Sequence, residues 1–255
     1  MSLEIITVPC LSDNYAFIAK DQETGITAAI DAPEAAPILA ALTARGWGAD
    51  LVLITHHHDD HIMGLAEIVA ATGAKVVGAK ADQHRLPALD IALGEGDTID
   101  IGASKGVVLD VSGHTIGHIA FHFAEAKAIF TADSLMALGC GRVFEGTFEQ
   151  MWGSLGKMAR LDPETLVCSG HEYTAANGRF AMSVEPDNAA LQKRVAEIAR
   201  ARAAGQPTVP SLLSLELATN PFLRAQSAEI RANLNMIDAK DAEVFAEVRR
   251  RKDAF

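Results

Sequence analysis

Short runs of strand character fill the first two thirds of the chain: EIITVP, NYAFIAK, ITAAID, DLVLIT, AKVVGA, KGVVLDVSG, IAFHFAE and KAIFTAD, with helical stretches between some of them. Strands and helices alternating in this way predict layered α/β (α+β) architecture, because the faces of each sheet must be buried against another layer. One intervening helix reads from Pro33 to Gly46, with proline at its start and glycine at its end. After about Tyr173 the texture changes to Ala-, Glu- and Arg-rich segments of helical period, broken most clearly near AGQPTVPS. The reading is therefore residues 1–173 as one domain and 174–255 as a helical C-terminal domain.

The stretch THHHDDHIMG, Thr55 to Gly64, sits where a buried strand, LVLI, gives way to the helical pattern IMGLAEIVAATG. In open α/β sheets, ligands bind at the carboxyl ends of strands. In a nearly extended segment His56 and His58 point the same way, so both imidazoles can reach one ion, while His57 points elsewhere. Asp60 and His61, where the chain turns into a helix, are placed to reach a second ion. Further candidate ligands each close another strand: His114 in SGHTIGH, Asp133 in TADS and His171 in CSGHEYT. Isolated histidines are more often structural, but HxHxDH on a strand-to-helix turn with three more strand-end donors points to a metal cage.

Together, THHHDDH, GHTIGH, ADS and CSGHEYT resemble the metal-binding series of the metallo-β-lactamase superfamily, in the layout of its dinuclear hydrolases. The resemblance implies an αββα sandwich with its metals at one rim. It also implies His56, His58 and His114 on one ion, Asp60, His61 and His171 on the other, and Asp133 bridging them. Asp60 and Asp133 are then the carboxylates of the catalytic centre, where a bridging hydroxide is the nucleophile. Imidazole and carboxylate donors suit two zinc ions, with iron or manganese as alternatives.

GCGRVFEGT, HEYT, TNPFLR and the terminal RRRKDAF extend the likeness to glyoxalase II over essentially the whole chain. That family hydrolyses S-D-lactoylglutathione to glutathione and D-lactate, the second step of methylglyoxal detoxification, and its helical C-terminal domain helps bind the glutathione part. Glutathione carries two carboxylates, and a chain of net charge −11 needs a local cationic patch to hold them. Arg142, Arg249 and Lys252 are the candidates, with Tyr173 reaching into the same pocket. Where some family members have Lys and Tyr after GCG, this chain has Arg142 and Phe144; Phe144 cannot donate a hydrogen bond, so weaker or rearranged glutathione contacts are expected.

The acidic balance argues against a nucleic-acid partner. The N-terminal apolar run is too short to span a bilayer, and three scattered cysteines suggest reduced thiols, so a cytoplasmic monomer with no membrane partner is expected. The rival readings are a glutathione persulfide dioxygenase with one iron, a lactonase or β-lactamase, and a closed structural zinc module. Of the other singled-out residues, His118 reads as packing beside the ligands, and His57 and Asp59 as solvent-facing spacers. His122 reads as an alternating strand residue, His84 as exposed, Cys140 and Cys168 as small buried residues, and Asn220 with Pro221 as a turn.

Overall fold

The computed structural model describes residues 3–255, so the first two residues of the N-terminal run lie outside it. The first sheet is built in chain order from β1 (Leu3–Cys10), β2 (Asn14–Asp21), β3 (Thr27–Ile30), β4 (Leu51–Leu53), β5 (Lys75–Ala79) and β6 (Ile91–Leu93). Its first three strands are antiparallel and its last three continue in parallel. Parallel neighbours need crossovers; the first two are supplied by α1 (Ala35–Thr43) and by the pair α2 (Asp59–Ile62) and α3 (Leu65–Thr72), and the third by the connection 80–90, which opens with a 3-10 turn at Lys80–Asp82. The second sheet holds β7 (Thr98–Ile101), β8 (Ser104–Asp110), β9 (Ile119–Phe123) and β10 (Ala128–Ala132). A small hairpin, β11 (Leu135–Met136) and β12 (Gly139–Cys140), follows before β13 (Leu166–Ser169) pairs in parallel with β10.

Period-two alternation explains why the two sheets stack with helices outside. In the second sheet Val108, Phe121, Phe130 and Cys168 join the core shared with the first sheet, which includes Phe17, Ile18, Val52 and Val77. Their neighbours Leu109, Ala120, Ile129 and Val167 face a second core made with the helices. Those helices are α4 (Phe148–Met158), α5 (Thr174–Val184), α6 (Ala189–Ala203), α7 (Leu213–Thr219), α8 (Ala228–Leu234) and α9 (Asp241–Ala254). The arrangement is the expected αββα sandwich with a helical C-terminal region.

The helix expected over IMGLAEIVAATG breaks into two at Gly64, because α1 begins against it. A Cβ there would lie 2.5 Å from the Ala35 nitrogen. The C-terminal segment is also less purely helical than its texture suggests. After α6 the chain returns to the second sheet as β14 (Ser211–Leu212), an edge strand on β13. The signal for β14 is weak because two residues carry no periodicity.

The hairpin that leads into GCGR is locked from below by buried polar groups. Leu138 has a positive φ of 55°, uncommon for a non-glycine residue, yet its side chain is buried and its N–H donates to Glu216 at 2.8 Å. Fully buried Glu216 is neutralised by Arg194 and also accepts from Ser211 and Asn220. Asn220 is more than a turn residue. Its amide donates to the carbonyls of Met136 and Gly139 at 3.1 and 2.9 Å, and its carbonyl oxygen caps Phe222 N–H. Replacing Asn220 by Ala leaves two buried carbonyls without this donor and should cost about 2–4 kcal/mol of unfolding free energy in urea. An unshifted unfolding midpoint would show that the hairpin does not depend on this clamp.

Candidate active site

Four strand ends converge on one rim. β4 runs out into His56 and His58, β8 into the loop bearing His114, β10 into Asp133 and β13 into His171. The ring nitrogens His56 Nε2 and His58 Nδ1 lie 3.2 Å apart, and His58 Nδ1 and His114 Nε2 lie 3.0 Å apart. Nitrogens on one tetrahedral zinc, at about 2.0–2.1 Å from it, would be about 3.3 Å apart. Beside them, His171 Nε2 is 3.5 Å from Asp60 Oδ2, and His61 Nε2 is 3.9 Å from the same oxygen.

Asp133 lies between the two groups. One carboxylate oxygen is 3.4 Å from His114 Nε2, and the other is 3.5 and 3.3 Å from the Nε2 atoms of His61 and His171. His61 Nε2 and Asp133 Oδ1 are fully buried and make no hydrogen bond among the described residues, although both aim into the same space. Buried polar atoms are rarely left this way without a further partner. The donor set therefore fits divalent cations, and the donor atoms within each triad lie within 4.8 Å of one another.

Outer hydrogen bonds fix which nitrogen faces inward. His61 Nδ1 is 2.8 Å from Asp31, His171 Nδ1 is 3.0 Å from Asp13, and His114 Nδ1 donates to the Arg142 carbonyl at 2.8 Å. Thr55 donates its hydroxyl to Asp31 and lies 3.0 Å from His56 Nδ1. Asn14 donates to both the carbonyl and the carboxylate of Asp60, each at 3.0 Å.

Electrostatics divides the imidazoles. Burial, reinforced by His61 and His118, holds His56 well below its usual pKa, and burial likewise lowers His58 and His114, leaving these rings neutral with free lone pairs. Burial also opposes a charge on His61 and His171, but Asp133 with Asp31 or Asp13 outweighs it and raises both. Burial works against the Asp133 carboxylate too, yet His61 and His171 keep it well below the ordinary carboxylate range.

A cavity of about 480 Å³ opens over this cluster. It is lined by the ligand cluster as its floor, with His58, Asp60, His114, Asp133 and His171, and by a wall of Arg142, Phe144, Tyr173, Arg249 and Lys252. Tyr173 stacks on His171 with ring centroids 4.6 Å apart, and Phe144, 62% exposed, packs its ring against His114. The Lys252 ammonium is half-buried over Phe180 and Phe255, and burial together with Arg249, Arg142 and Arg179 lowers its pKa. Arg249 is buried: its guanidinium donates to the Cys140 carbonyl, pairs with Asp253 at 2.9 Å and stacks on Phe222.

Several neighbours behave as their sequence context suggests. His118 is buried and stacks on His56 at 4.5 Å, His84 is exposed, and Cys140 and Cys168 are buried thiols. Asp59 is exposed, but His57 is not a solvent-facing spacer, because its Nδ1 is paired with buried Asp82 at 3.0 Å. Sequence reading missed Asp31, Asp13 and Asn14. Asp31 ends ITAAID as Asp133 ends KAIFTAD, a usable signal; Asp13 and Asn14 sit in a polar turn with no local signature.

Comparison with known proteins follows the same lines. Family models match described as "Metallo-beta-lactamase superfamily", over residues 23–171, and "Hydroxyacylglutathione hydrolase C-terminus", over residues 172–255. Proteins named hydroxyacylglutathione hydrolase from Cereibacter sphaeroides and Ruegeria pomeroyi are 61% and 63% identical over 255 residues, covering all of both chains. The one from Methylococcus capsulatus is 53% identical over 253 residues, 99% of each chain. The crystal structure of ETHE1 from Myxococcus xanthus matches with a TM-score of 0.65 at 22% identity, over 100% of this chain and 99% of that one. At that identity the likeness shows the fold.

Because Asn14 is the hydrogen-bond donor that orients Asp60, Asn14→Ala should weaken metal retention at the Asp60, His61 and His171 group about 10–100-fold. Elemental analysis after dialysis should then find less metal per chain than in the wild type; an unchanged ratio would refute the role.

Proposed function

The chain belongs to the hydroxyacylglutathione hydrolases of the metallo-β-lactamase superfamily, and on that footing we propose that it hydrolyses S-D-lactoylglutathione to glutathione and D-lactate, the second step of methylglyoxal detoxification. The observation that carries the reading is a carboxylate, Asp133, lying between two histidine groups in a cavity that is also lined by Arg142, Arg249 and Lys252. Full-length likeness to hydroxyacylglutathione hydrolases does not favour the one-iron dioxygenase alternative.

His56, His58 and His114 would hold one divalent ion and Asp60, His61 and His171 the second, with Asp133 placed between the two groups. When bound, such ions supply Lewis acidity and lower the pKa of water to about 7. This mixed imidazole and carboxylate set suits zinc, the ion we propose, and would also take iron or manganese. The protein's own contribution is placement. Arg142 and Lys252 attract the two carboxylates of glutathione, and the Tyr173 hydroxyl donates to the peptide. Phe144 lies along it without a hydroxyl of its own. Arg249 shapes the wall by fixing the Cys140 carbonyl and lends its charge to the patch. Binding the remote peptide holds the thioester carbonyl over the floor and excludes competing orientations. In this division residues 1–173 provide the metal ligands and, through Arg142, Phe144 and Tyr173, part of the substrate wall, which 174–255 completes with Arg249 and Lys252.

Among the described residues no helix is long and apolar enough to cross a membrane; a cytoplasmic monomer acting on a small thioester is part of the same proposal. The purified, metal-loaded protein should turn over S-D-lactoylglutathione; a filled site with no turnover would remove the assigned substrate. Lys252→Ala should raise KM about tenfold with kcat little changed, as loss of one charged contact made equally in ground and transition states predicts. Phe144→Tyr should lower KM for the same substrate, and an unaltered KM would show that this position makes no contact with glutathione.

A further inference from the structure

A charged cluster that the chemistry above does not use lies on the side of the histidine run to which His57 alternates. His57 Nδ1 is paired with Asp82, and its Nε2 faces Glu145 at 3.6 Å. Arg85 forks across both acids: Nε reaches Asp82 Oδ1 at 2.9 Å, while Nη1 and Nη2 reach the two Glu145 oxygens at 2.5 and 3.0 Å. Asp82 is buried against Gly117, where a Cβ would stand 2.2 Å from its carboxyl carbon, so this end of the cluster is immobile. The hydrogen-bonded Arg85 guanidinium pulls the Glu145 pKa down to about 2, so Glu145 is ionised throughout the neutral range.

Glu145 belongs to the segment that carries Arg142 and Phe144 over the cavity. That segment is tied to the His114 loop by Phe144 N–H to the His114 carbonyl, Gly146 N–H to the Gly113 carbonyl, and Ile116 N–H to Glu145. These bonds join two loops of the second sheet. The Arg85 fork is different in kind, because Arg85 follows β5 and so anchors the segment to the first sheet. Two parallel charge-assisted bonds fix direction as well as distance.

We propose that Arg85 and Glu145 are a positioning pair that holds Arg142 and Phe144 in register with the glutathione part of the substrate, and thereby governs KM and not the chemical step. This rests on the thioesterase reading above. Glu145→Gln keeps the shape and removes the charge. Arg85→Lys keeps a cation beside Asp82 but cannot fork to Glu145.

The test compares S-D-lactoylglutathione with S-D-lactoyl-N-acetylcysteamine, which has the same thioester and acyl group but neither glutathione carboxylate. With metal content determined on each preparation, both variants should raise KM for the glutathione thioester about tenfold, a modest misplacement by the measure of catalytic geometry. Metal content, kcat and kcat/KM for the truncated thioester should stay at wild-type values. Unchanged KM, equal losses on both thioesters, or loss of metal would each overturn the pair's role. The wild type judges the underlying reading separately: if it shows no preference for the glutathione thioester, that reading and the pair's purpose fall together.

Discussion

Burying imidazoles and carboxylates together is the constraint on which the rest of this structure depends. His56 and His61 have no exposed surface, and His114, His171 and Asp133 have little. Such groups come out of water at a cost of several kcal/mol each unless they are paired, hydrogen-bonded or bound to cations. The sandwich meets this by bringing the ends of β4, β8, β10 and β13 to one rim. A layer of acceptors behind the rings then turns their free nitrogens inward. Asp31, Asp13, Thr55 and the Arg142 carbonyl are as much a part of the centre as the groups they orient.

How much of this could be read from the chain follows from how local each signal is. The donors His56, His58, Asp60 and His61 announce themselves because a strand-to-helix turn packs them within six residues, and His114, Asp133 and His171 because each closes an apolar run. Asn14 gives no such sign. It meets Asp60 across 46 positions of sequence, and Tyr15 meets Glu172 across 157. His57 was misread for a related reason: alternation states that it turns away from its neighbours, but only the parallel pairing of β4 and β5 brings Asp82 to where it turns. Short elements fare worst, since the two residues of β14 are defined wholly by β13 beside them.

The charge distribution shows how a chain of net charge −11 can present a cationic wall. Arg249 is spent largely on structure, pinned between the Cys140 carbonyl, Asp253 and the face of Phe222. Burial first, and then the charges of Arg249, Arg142 and Arg179, lower the pKa of the neighbouring Lys252, whose ammonium lies over the Phe180 and Phe255 rings. Lys252 is partly exposed to whatever enters the cavity, whereas the Arg249 guanidinium is buried and already engaged.

The hydrogen bond from His114 Nδ1 to the Arg142 carbonyl joins two functions in one residue, because the same Arg142 extends its side chain into the cavity wall. The acceptor that aligns the His114 ring is a main-chain carbonyl, so it is present whatever side chain position 142 carries. The wall can therefore change its charge or reach at this position while the floor keeps the same hydrogen bond.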